Sequence, residues 1–226
     1  MVRRDKTVDN RWEKLYRNEK ERYYKWSPSI LMNDFLTALR KTEAQKVLDI
    51  GCGIGSNAIF LAKEGYYVVG VDISHTALKV AAEQAREHKT ANAVFLYADM
   101  DSLPFPKGRF DAVFSLNAIH HGAINQIKRR VQNIFEVLSE NGVGMVTVSS
   151  SKDCKYALGK EIEKNTYEML EGTHIEARIP HHFFDETEAK LLFGKYFKVT
   201  EVKHIVKPVK EGENYHWYIS FVKMTT

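Results

Sequence analysis

Three glycines stand at alternate positions, Gly51, Gly53 and Gly55, between an apolar run and a helical pattern. Glycine permits positive φ and lets a ligand approach the backbone where a Cβ would block it. The following helix would direct its free N–H groups and positive dipole end at a bound carboxylate or phosphate. The stretch therefore predicts a nucleotide-like ligand at the carboxyl end of a strand.

The spacing of these glycines narrows the choice of ligand. The dinucleotide fingerprint places its third glycine where this sequence has Ser56, so that motif is not matched. A phosphate-binding P-loop is not matched either, because no Gly-Lys-Ser/Thr follows the glycines. The loop therefore belongs to neither of these two nucleotide-binding classes.

Two histidine pairs offer proton-transfer chemistry, since imidazole titrates near neutral pH. His120 and His121 follow the predicted fourth strand and are the first candidates for a general base. His181 and His182 are the second pair, and we place His181 on the substrate side. No Cys or carboxylate stands beside these pairs at ligand spacing, so the sequence predicts no metal site.

Short apolar runs alternate with helical patterns from Lys46 onward, which is typical of βαβ units and a parallel sheet. The predicted strands are Lys46–Ile50, Tyr67–Val71, Ala93–Tyr97, Phe110–Ser115 and Val143–Ser149. The predicted helices between them are Asn57–Glu64, Thr76–His88 and Gln126–Leu138. The sequence therefore predicts a doubly wound, Rossmann-like α/β fold.

The pattern changes after Ser151. Lys152–Glu171 is polar and rich in helix formers, so we expect helix there. The sequence Asp-x-x-Glu from Asp185 predicts a capped helix that ends near Phe193. Two strands follow, Phe197–His204 and Tyr215–Lys223, and their short connection predicts an antiparallel hairpin at the sheet edge. We expect one domain with a helical cap (1–45), a cofactor-binding core (46–150), a substrate-side insertion (151–184) and a C-terminal helix and hairpin (185–226).

The glycine loop begins with Asp49, in the order Asp-x-Gly-x-Gly-x-Gly. This order resembles the first motif of class I S-adenosylmethionine-dependent methyltransferases. The resemblance implies that Gly51, Cys52, Gly53 and Gly55 surround the methionine moiety of S-adenosylmethionine, with its ammonium near Asp49.

Further matches follow in the family's order. Asp72, at the end of VVGVDIS, is similar to the acid that binds both ribose hydroxyls, and the resemblance places Ile73 against the adenine. A carboxylate suits this task because it accepts two hydrogen bonds side by side. Asp99 in LYADMDSLPF resembles the acid near the adenine amino group, with the Met100 backbone N–H facing a ring nitrogen.

The segment FDAVFSLNAIHHG resembles the family's fourth-strand motif. The resemblance places Asn117 on the floor beneath the methyl donor. It extends over residues 47–149, and the rest of the chain matches loosely. The nearest likeness is to the tellurite-resistance-type and quinone-biosynthesis-type small-molecule methyltransferases.

Charge and aromatic residues concentrate ahead of the core. Residues 1–26 carry nine Lys/Arg and five Asp/Glu, which accounts for the whole net charge of +4. Alternating signs over Arg11–Lys25 favour a solvated helix face, and contact with phosphates is the alternative. The segment also holds aromatics that either line the acceptor pocket as a lid, where we place Trp26, or form the apolar face of a helix packed on the sheet: Trp12, Tyr16, Tyr23, Tyr24 and Trp26.

Three functions remain open from the sequence. Transfer of a methyl group to a small-molecule acceptor is the leading one. An RNA methyltransferase that uses the basic arm and its aromatics is the second. A non-catalytic binding protein that keeps the fold is the third. The absence of a long apolar run predicts that no segment spans a membrane, and the two widely separated cysteines predict a reduced, cytoplasmic protein. We expect a monomer or a homodimer.

Overall fold

The computed structural model describes residues 6–19, 24–170, 176–209 and 212–225. The helices are α1 (Lys6–Asn18), α2 (Leu31–Leu39), α3 (Ser56–Lys63), α4 (His75–Glu87), α5 (Ile124–Val137) and α6 (Glu186–Gly194). The strands are β1 (Lys46–Ile50), β2 (Tyr67–Asp72), β3 (Ala93–Tyr97), β4 (Phe110–Ser115), β5 (Leu138–Ser149), β6 (Lys160–Glu163), β7 (Thr166–Glu168), β8 (Pro180–His182), β9 (Lys198–Val209) and β10 (Gly212–Val222).

The main sheet has seven strands in the order β3-β2-β1-β4-β5-β10-β9. Strands β1 to β5 are parallel, whereas β10 runs antiparallel to both β5 and β9. The predicted fold class is therefore confirmed. Because the strand order reverses between β1 and β4, a crevice opens at their carboxyl ends, which is where such sheets bind ligands.

Both faces of this sheet are covered by apolar side chains. In β1, Val47 packs into one apolar cluster and Leu48 into the cluster on the opposite face. In β4, Val113 and Phe114 divide in the same way. This alternation follows from the two-residue period of a strand, and burial on both faces explains why these strands are continuous apolar runs.

Most predicted elements are confirmed, with small shifts at their ends. The helix before β5 ends at Val137 and the strand begins at Leu138, five residues before its predicted start at Val143. Asp185 caps α6 as predicted, because its carboxylate accepts the Glu188 N–H. The hairpin strands β9 and β10 are both longer than predicted and reach to within two residues of each other.

The prediction of helix over Lys152–Glu171 is wrong. Strands β6 and β7 lie there and form a three-stranded antiparallel sheet with β8. Asn165 takes a left-handed φ of 61° in the turn between β6 and β7. Thr166 and Tyr167 are buried against β8 and Phe183, and this packing outweighs the helix propensity of the polar residues around them.

Among the described helices, none has both the length and the apolar character needed to cross a bilayer.

Candidate functional site

The glycine loop is folded tightly against the end of β2. The N–H groups of Gly51 and Cys52 both donate to the Val71 carbonyl, at 2.8 and 3.0 Å. All three glycines of the loop have positive φ, between 52° and 79°. A Cβ on Gly51 would overlap the Cβ of Ala118, and a Cβ on Gly53 would lie 2.5 Å from the Tyr16 hydroxyl. The loop therefore requires glycine for its backbone conformation and for the space in front of it.

Asp49 lies at the end of β1 beneath this loop and is 2% exposed. One of its carboxylate oxygens is buried and has no hydrogen-bond partner among the described residues. Burial raises the pKa of Asp49 well above its usual value, and the negative charge of Asp72 adds to the shift. A buried carboxylate oxygen without a partner is costly, so the site fits a cationic group such as an ammonium.

Asp72 connects the glycine loop to the start of α4. Its carboxylate accepts the Gly53 N–H and the Ser74 N–H, both at 2.9 Å. Burial raises the pKa of this carboxyl group, although backbone hydrogen bonds from Ser74 and Gly53 partly oppose the shift. Ile73 follows it and is half-buried. Each carboxylate oxygen of Asp72 therefore accepts one backbone N–H at the end of β2.

Asp99 and Met100 lie after β3 on the same edge of the sheet. The Asp99 carboxylate accepts the Asp101 N–H at 2.8 Å, and the Met100 carbonyl accepts the Asn133 amide at 2.9 Å. The Met100 methyl group lies 3.7 Å from the position of a Cβ on Gly51. The structure thus brings the ends of β1, β2 and β3 together around one crevice.

Cys52 and Asn117 differ in what they can offer a ligand. A Cβ on Gly70 would lie 2.9 Å from the Cys52 sulfur, so the thiol packs into the sheet and the residue's backbone alone lies in the loop. Asn117 follows β4 with a left-handed φ of 54°. Its N–H donates to the Thr147 hydroxyl oxygen, and the Thr147 hydroxyl donates to its side-chain oxygen, at 2.8 and 3.0 Å. This pair fixes the chain as it leaves β4.

Four histidines gather next to Asn117, and we call His120, His121, His181 and His216 the histidine cluster. Ring centroids lie 4.1 Å apart for His120 and His121, 4.6 Å for His121 and His181, and 5.7 Å for His120 and His216. His120 and His181 are both predicted site residues, and the structure brings them together.

The histidines of this cluster that adjoin β4 are deeply buried. Burial lowers the pKa of His120 and of His121 well below 6.5, and neighbouring imidazoles add to both shifts. Burial also lowers the pKa of His216, to about 4. The Nδ1 atom of His120 is buried and has no hydrogen-bond partner among the described residues. These rings are therefore neutral at physiological pH, and each keeps a nitrogen lone pair.

Helix α1 reaches from the glycine loop to the histidine cluster. Besides Tyr16 over Gly53, the Trp12 ring packs edge-on against His121 with centroids 4.9 Å apart. Glu13 accepts hydrogen bonds from the Thr76 hydroxyl and N–H and from the Ser74 hydroxyl, at 2.5 to 3.0 Å. Burial raises the pKa of Glu13, but these hydrogen bonds outweigh burial and hold it at about 2. Glu13 therefore ties α1 to the start of α4.

Trp26 does not occupy the predicted pocket wall. Its ring packs 4.7 Å from His88, which follows the C-terminus of α4, and Lys63 at the C-terminus of α3 lies over it. Those helix ends lie opposite the ends that face the glycine loop. Trp26 is therefore a packing residue of the helical layer, and Trp12 is the aromatic against the histidines. Tyr23 and the basic residues Arg3, Arg4, Lys20 and Arg22 lie outside the described residues.

His182 points away from the cluster, since its Nδ1 pairs with the Thr166 hydroxyl at 2.7 Å.

Arg130 is a positioning residue that sequence reasoning missed. Its guanidinium donates to the carbonyls of Ile119 and His121, at 3.0 and 2.6 Å, and pairs with Asp101 at 2.5 Å. It thereby holds the turn that presents the histidines after β4. The available signal was a basic residue in the core-facing stripe of α5, three residues after Ile127.

Glu176 is a second residue that the sequence patterns did not indicate, and it bears on the prediction that the chain has no metal site. Its carboxylate lies 3.0 Å from the Nε2 of His181, and Lys155 lies 3.8 Å from the same oxygen. Glu176 precedes His181 by five residues, a spacing that neither a helix nor a strand face would produce. The structure therefore supplies the carboxylate partner that the sequence reasoning did not find.

Known proteins resemble the chain at two levels. Residues 47–142 match the family described as a methyltransferase domain. An uncharacterized methyltransferase of Bacillus subtilis is 32% identical over 97 residues, 43% of this chain and 38% of that protein. The bovine 18S rRNA (guanine-N(7))-methyltransferase is 41% identical over 73 residues, 32% of this chain and 25% of that protein. The chain thus spans less than half the length of these curated relatives.

At the level of structure, the chain resembles 1,6-didemethyltoxoflavin-N1-methyltransferase of Burkholderia thailandensis, solved with its substrate and S-adenosylhomocysteine. The TM-score is 0.76 at 17% identity, over 100% of this chain and 92% of that one. This likeness extends the shared fold to the segments outside 47–142. The likeness to tellurite-resistance-type and quinone-biosynthesis-type enzymes stays a prediction. The family match identifies residues 47–142 as a methyltransferase domain, and the strand order with the structural likeness shows that the chain has the class I methyltransferase fold.

Proposed function

We propose that the chain transfers a methyl group from S-adenosylmethionine to a small-molecule acceptor. The observation that carries this proposal is that the candidate donor-binding and acceptor-binding groups lie at the same edge of the sheet. There, the unpartnered carboxylate oxygen of Asp49 and the carboxylate of Asp72 lie at the ends of β1 and β2, and buried neutral histidines follow β4. One crevice therefore joins groups suited to a cationic donor with groups suited to an acceptor.

The methyl donor would be held by residues at the ends of β1, β2 and β3. The unpartnered Asp49 oxygen fits the ammonium of the methionine moiety, and the glycine loop that follows Asp49 would lie along the rest of that moiety. Asp72 would accept the ribose hydroxyls, and Asp99 with Met100 would lie along the adenine. S-adenosylmethionine supplies a methyl group already activated by its sulfonium.

The acceptor side would be formed by the histidine cluster. His120 is the best candidate for a base, because its Nδ1 is buried, lacks a described partner and belongs to a ring whose pKa is lowered. A neutral imidazole takes a proton from an acceptor hydroxyl, thiol or amine, and general-base catalysis of this kind typically contributes about 10²–10⁴-fold. His121 and His181 would then shape the acceptor pocket.

Helix α1 would act as the lid over both sides. Trp12 covers the histidine cluster, and Tyr16 covers the glycine loop. A lid excludes water and holds the acceptor in line with the methyl group, and positioning of this kind is worth about 7–11 kcal/mol of a barrier. We propose residues 151–184, with the β6-β7-β8 sheet, as the opposite wall of the acceptor pocket.

The relatives leave the acceptor class open. The Burkholderia enzyme was solved with a small heterocyclic substrate, whereas the bovine relative acts on rRNA. The deep burial of the histidine cluster favours a small acceptor. A base within RNA is attached to a charged backbone, which would have to approach the buried site with it. RNA as the acceptor is therefore the alternative that the experiment has to test.

Calorimetric titration with S-adenosylmethionine and S-adenosylhomocysteine tests the donor site. We expect Kd values on the order of micromolar for the wild type and loss of binding in Asp72→Ala. Asp111→Ala is the matched control, because Asp111 also accepts two backbone N–H groups, from Gln45 and Lys46, but at the opposite end of the sheet. Absence of binding to the folded wild type would refute the proposal.

The acceptor class is tested with S-adenosylmethionine that carries a label in its methyl group. The protein is incubated separately with a small-molecule extract and with total RNA, and transferred label is counted in each. We expect label in small molecules, with little dependence on salt. Label in RNA that falls steeply as salt rises would replace the small-molecule proposal with the RNA one.

A further inference from the structure

Three side chains from separate segments converge beside the acceptor side of the crevice. His121 follows β4, Glu176 lies in the turn before β8, and His181 lies in β8. One possible ligand atom from each lies within 4.8 Å of the other two, and the His181 Nε2 lies 3.0 Å from the Glu176 carboxylate. His181 is fully buried, and the side chain of Glu176 is 18% exposed.

Backbone carbonyls fix which nitrogen of each histidine carries its proton. The His121 Nδ1 lies 3.0 Å from the Ala118 carbonyl, and the His181 Nδ1 lies 2.8 Å from the Ile179 carbonyl. Because a carbonyl only accepts, each Nδ1 must be the donor. In the neutral form of each ring, the Nε2 is therefore left with a lone pair, the form in which histidine binds a metal.

The two Nε2 lone pairs and the Glu176 carboxylate offer a metal ion three acceptor groups from three separate segments. A proton on the His181 Nε2 would satisfy its contact with Glu176, but the His121 lone pair would still lack a cation. Lys155 also pairs with the Glu176 carboxylate, at 3.8 Å. A divalent ion placed among the three would satisfy all of them together.

We propose that His121, Glu176 and His181 bind a divalent transition metal ion, with zinc the best match. Two imidazoles and one carboxylate are the donor set of many catalytic zinc sites, and soft thiolate ligands are absent from this cluster. The hydrogen bonds from each Nδ1 to a backbone carbonyl are the outer-shell contacts that orient metal-bound histidines.

Little movement is needed to close such a site. Tetrahedral ligands at about 2.1 Å from zinc lie about 3.4 Å from one another, so the present separations need to shrink by about 1.4 Å at most. Three protein ligands leave at least one coordination position for solvent or a bound molecule, as in catalytic sites. The ion would therefore lie beside His120, which adjoins His121 in the cluster.

Metal content and cobalt titration test this site without donor or acceptor, so their outcome is independent of methyl transfer. Protein purified from zinc-supplemented medium without chelators is analysed by mass spectrometry for metals. The bound metal is then removed and the protein is titrated with Co²⁺, whose visible spectrum reports the coordination geometry of the ion. We expect one zinc per chain, a saturable tetrahedral cobalt spectrum, and a thermal unfolding temperature that rises on reloading.

Variants identify the ligands. Glu176→Gln and His181→Ala should weaken zinc binding by more than about 100-fold. His88→Ala is the matched control, because His88 lies at the end of α4 beside Trp26, and it should bind zinc like the wild type. Glu176→Gln keeps the shape of the side chain, and comparison with metal-stripped wild type by circular dichroism separates misfolding from ligand loss.

Two results would overturn the proposal. One is a wild-type protein that binds neither zinc nor cobalt, which would leave a His181–Glu176 ion pair. The other is metal binding that persists unchanged in Glu176→Gln and His181→Ala.

Discussion

The two sides of the crevice are built in different ways. The proposed donor side is assembled from consecutive strand ends, so Asp49, Asp72 and Asp99 follow one another along the chain and meet at one edge of the sheet. The acceptor side is assembled from distant segments, with Trp12 in α1, His181 in β8 and His216 in β10. A ligand that many proteins share can be held by local sequence, whereas a particular acceptor is recognised by what the fold brings together.

The family match follows the same division. Residues 47–142 include the whole donor side and His120 with His121. Trp12, His181 and His216 lie outside it. In our proposal, recognition of the acceptor depends on these outer segments. Variants on the acceptor side should therefore lower turnover, and variants on the donor side should weaken binding of the methyl donor.

The largest expected effect is on turnover. His120→Ala should lower methyl transfer by about 10²–10⁴-fold, because the proposed base is removed. The affinity for S-adenosylhomocysteine should not change. Rate measurements and calorimetry check the two halves of this prediction, with His204→Ala as the control, since His204 stacks on Trp217 and bonds to Ser150. A parallel loss of affinity would show that the two sides are not separable.

Arg130→Met should have the largest effect on stability. The substitution leaves Asp101 and two buried carbonyls without their donor, at a cost of about 3 kcal/mol. For a chain of this size the unfolding temperature should fall by about 6–12 °C. In the control Arg40→Met, an exposed pair with Glu64 is lost, and a change of about 1 kcal/mol or less is expected. Equal effects of the two variants would contradict this account of Arg130.

Gly51→Ala tests the close packing of the glycine loop on the proposed donor side. The new Cβ would overlap Ala118 at a positive φ, and we expect about 100-fold weaker binding of S-adenosylhomocysteine, or about 2.7 kcal/mol. Gly65→Ala is the matched control, because Gly65 also has positive φ but would place its Cβ in open space. Calorimetry on both variants separates backbone strain from the overlap with Ala118, and equal affinities would contradict the prediction.

Glu13→Gln tests the contact between α1 and α4 and should have the smallest effect. Loss of a charged cap at the start of α4 typically costs about 1 kcal/mol, or about 2–4 °C in the unfolding temperature at neutral pH. Because the pKa of Glu13 is lowered from 4.5 to about 2, its stabilising contribution is complete above pH 4.5. The contribution is lost as the pH falls from 4.5 to 2.

Unfolding curves across this pH range check the Glu13 prediction. The difference between wild type and Glu13→Gln should disappear in acid. Glu186→Gln serves as control, since Glu186 makes an exposed pair with Lys190 and should change stability little. A constant difference between wild type and Glu13→Gln down to pH 2 would contradict the proposed hydrogen bonding.

The elements that form the proposed donor side could be predicted from sequence because their signals are local. The strand ends, the glycine loop and the acids after β2 and β3 each lie within a few residues of a recognisable apolar run. The strands β1 to β4 were accordingly placed to within one residue. Burial on both faces leaves such strands little freedom in sequence.

The acceptor side could not be predicted in the same way. Polar residues around Lys160 indicate helix by propensity, but packing of Tyr167 on Phe183 selects strand. Asn165, which tolerates the left-handed conformation, was the available sign of a turn. Glu176 meets His121 through a turn whose course no local pattern indicates, so the cluster becomes visible only in three dimensions.

A crystal structure with S-adenosylhomocysteine bound tests the central claim most directly. We predict the amino group of the ligand within hydrogen-bond distance of Asp49, its ribose at Asp72, and its sulfur directed at the histidine cluster. A ligand bound elsewhere, or one that leaves the buried Asp49 oxygen without a partner, would contradict the proposed site.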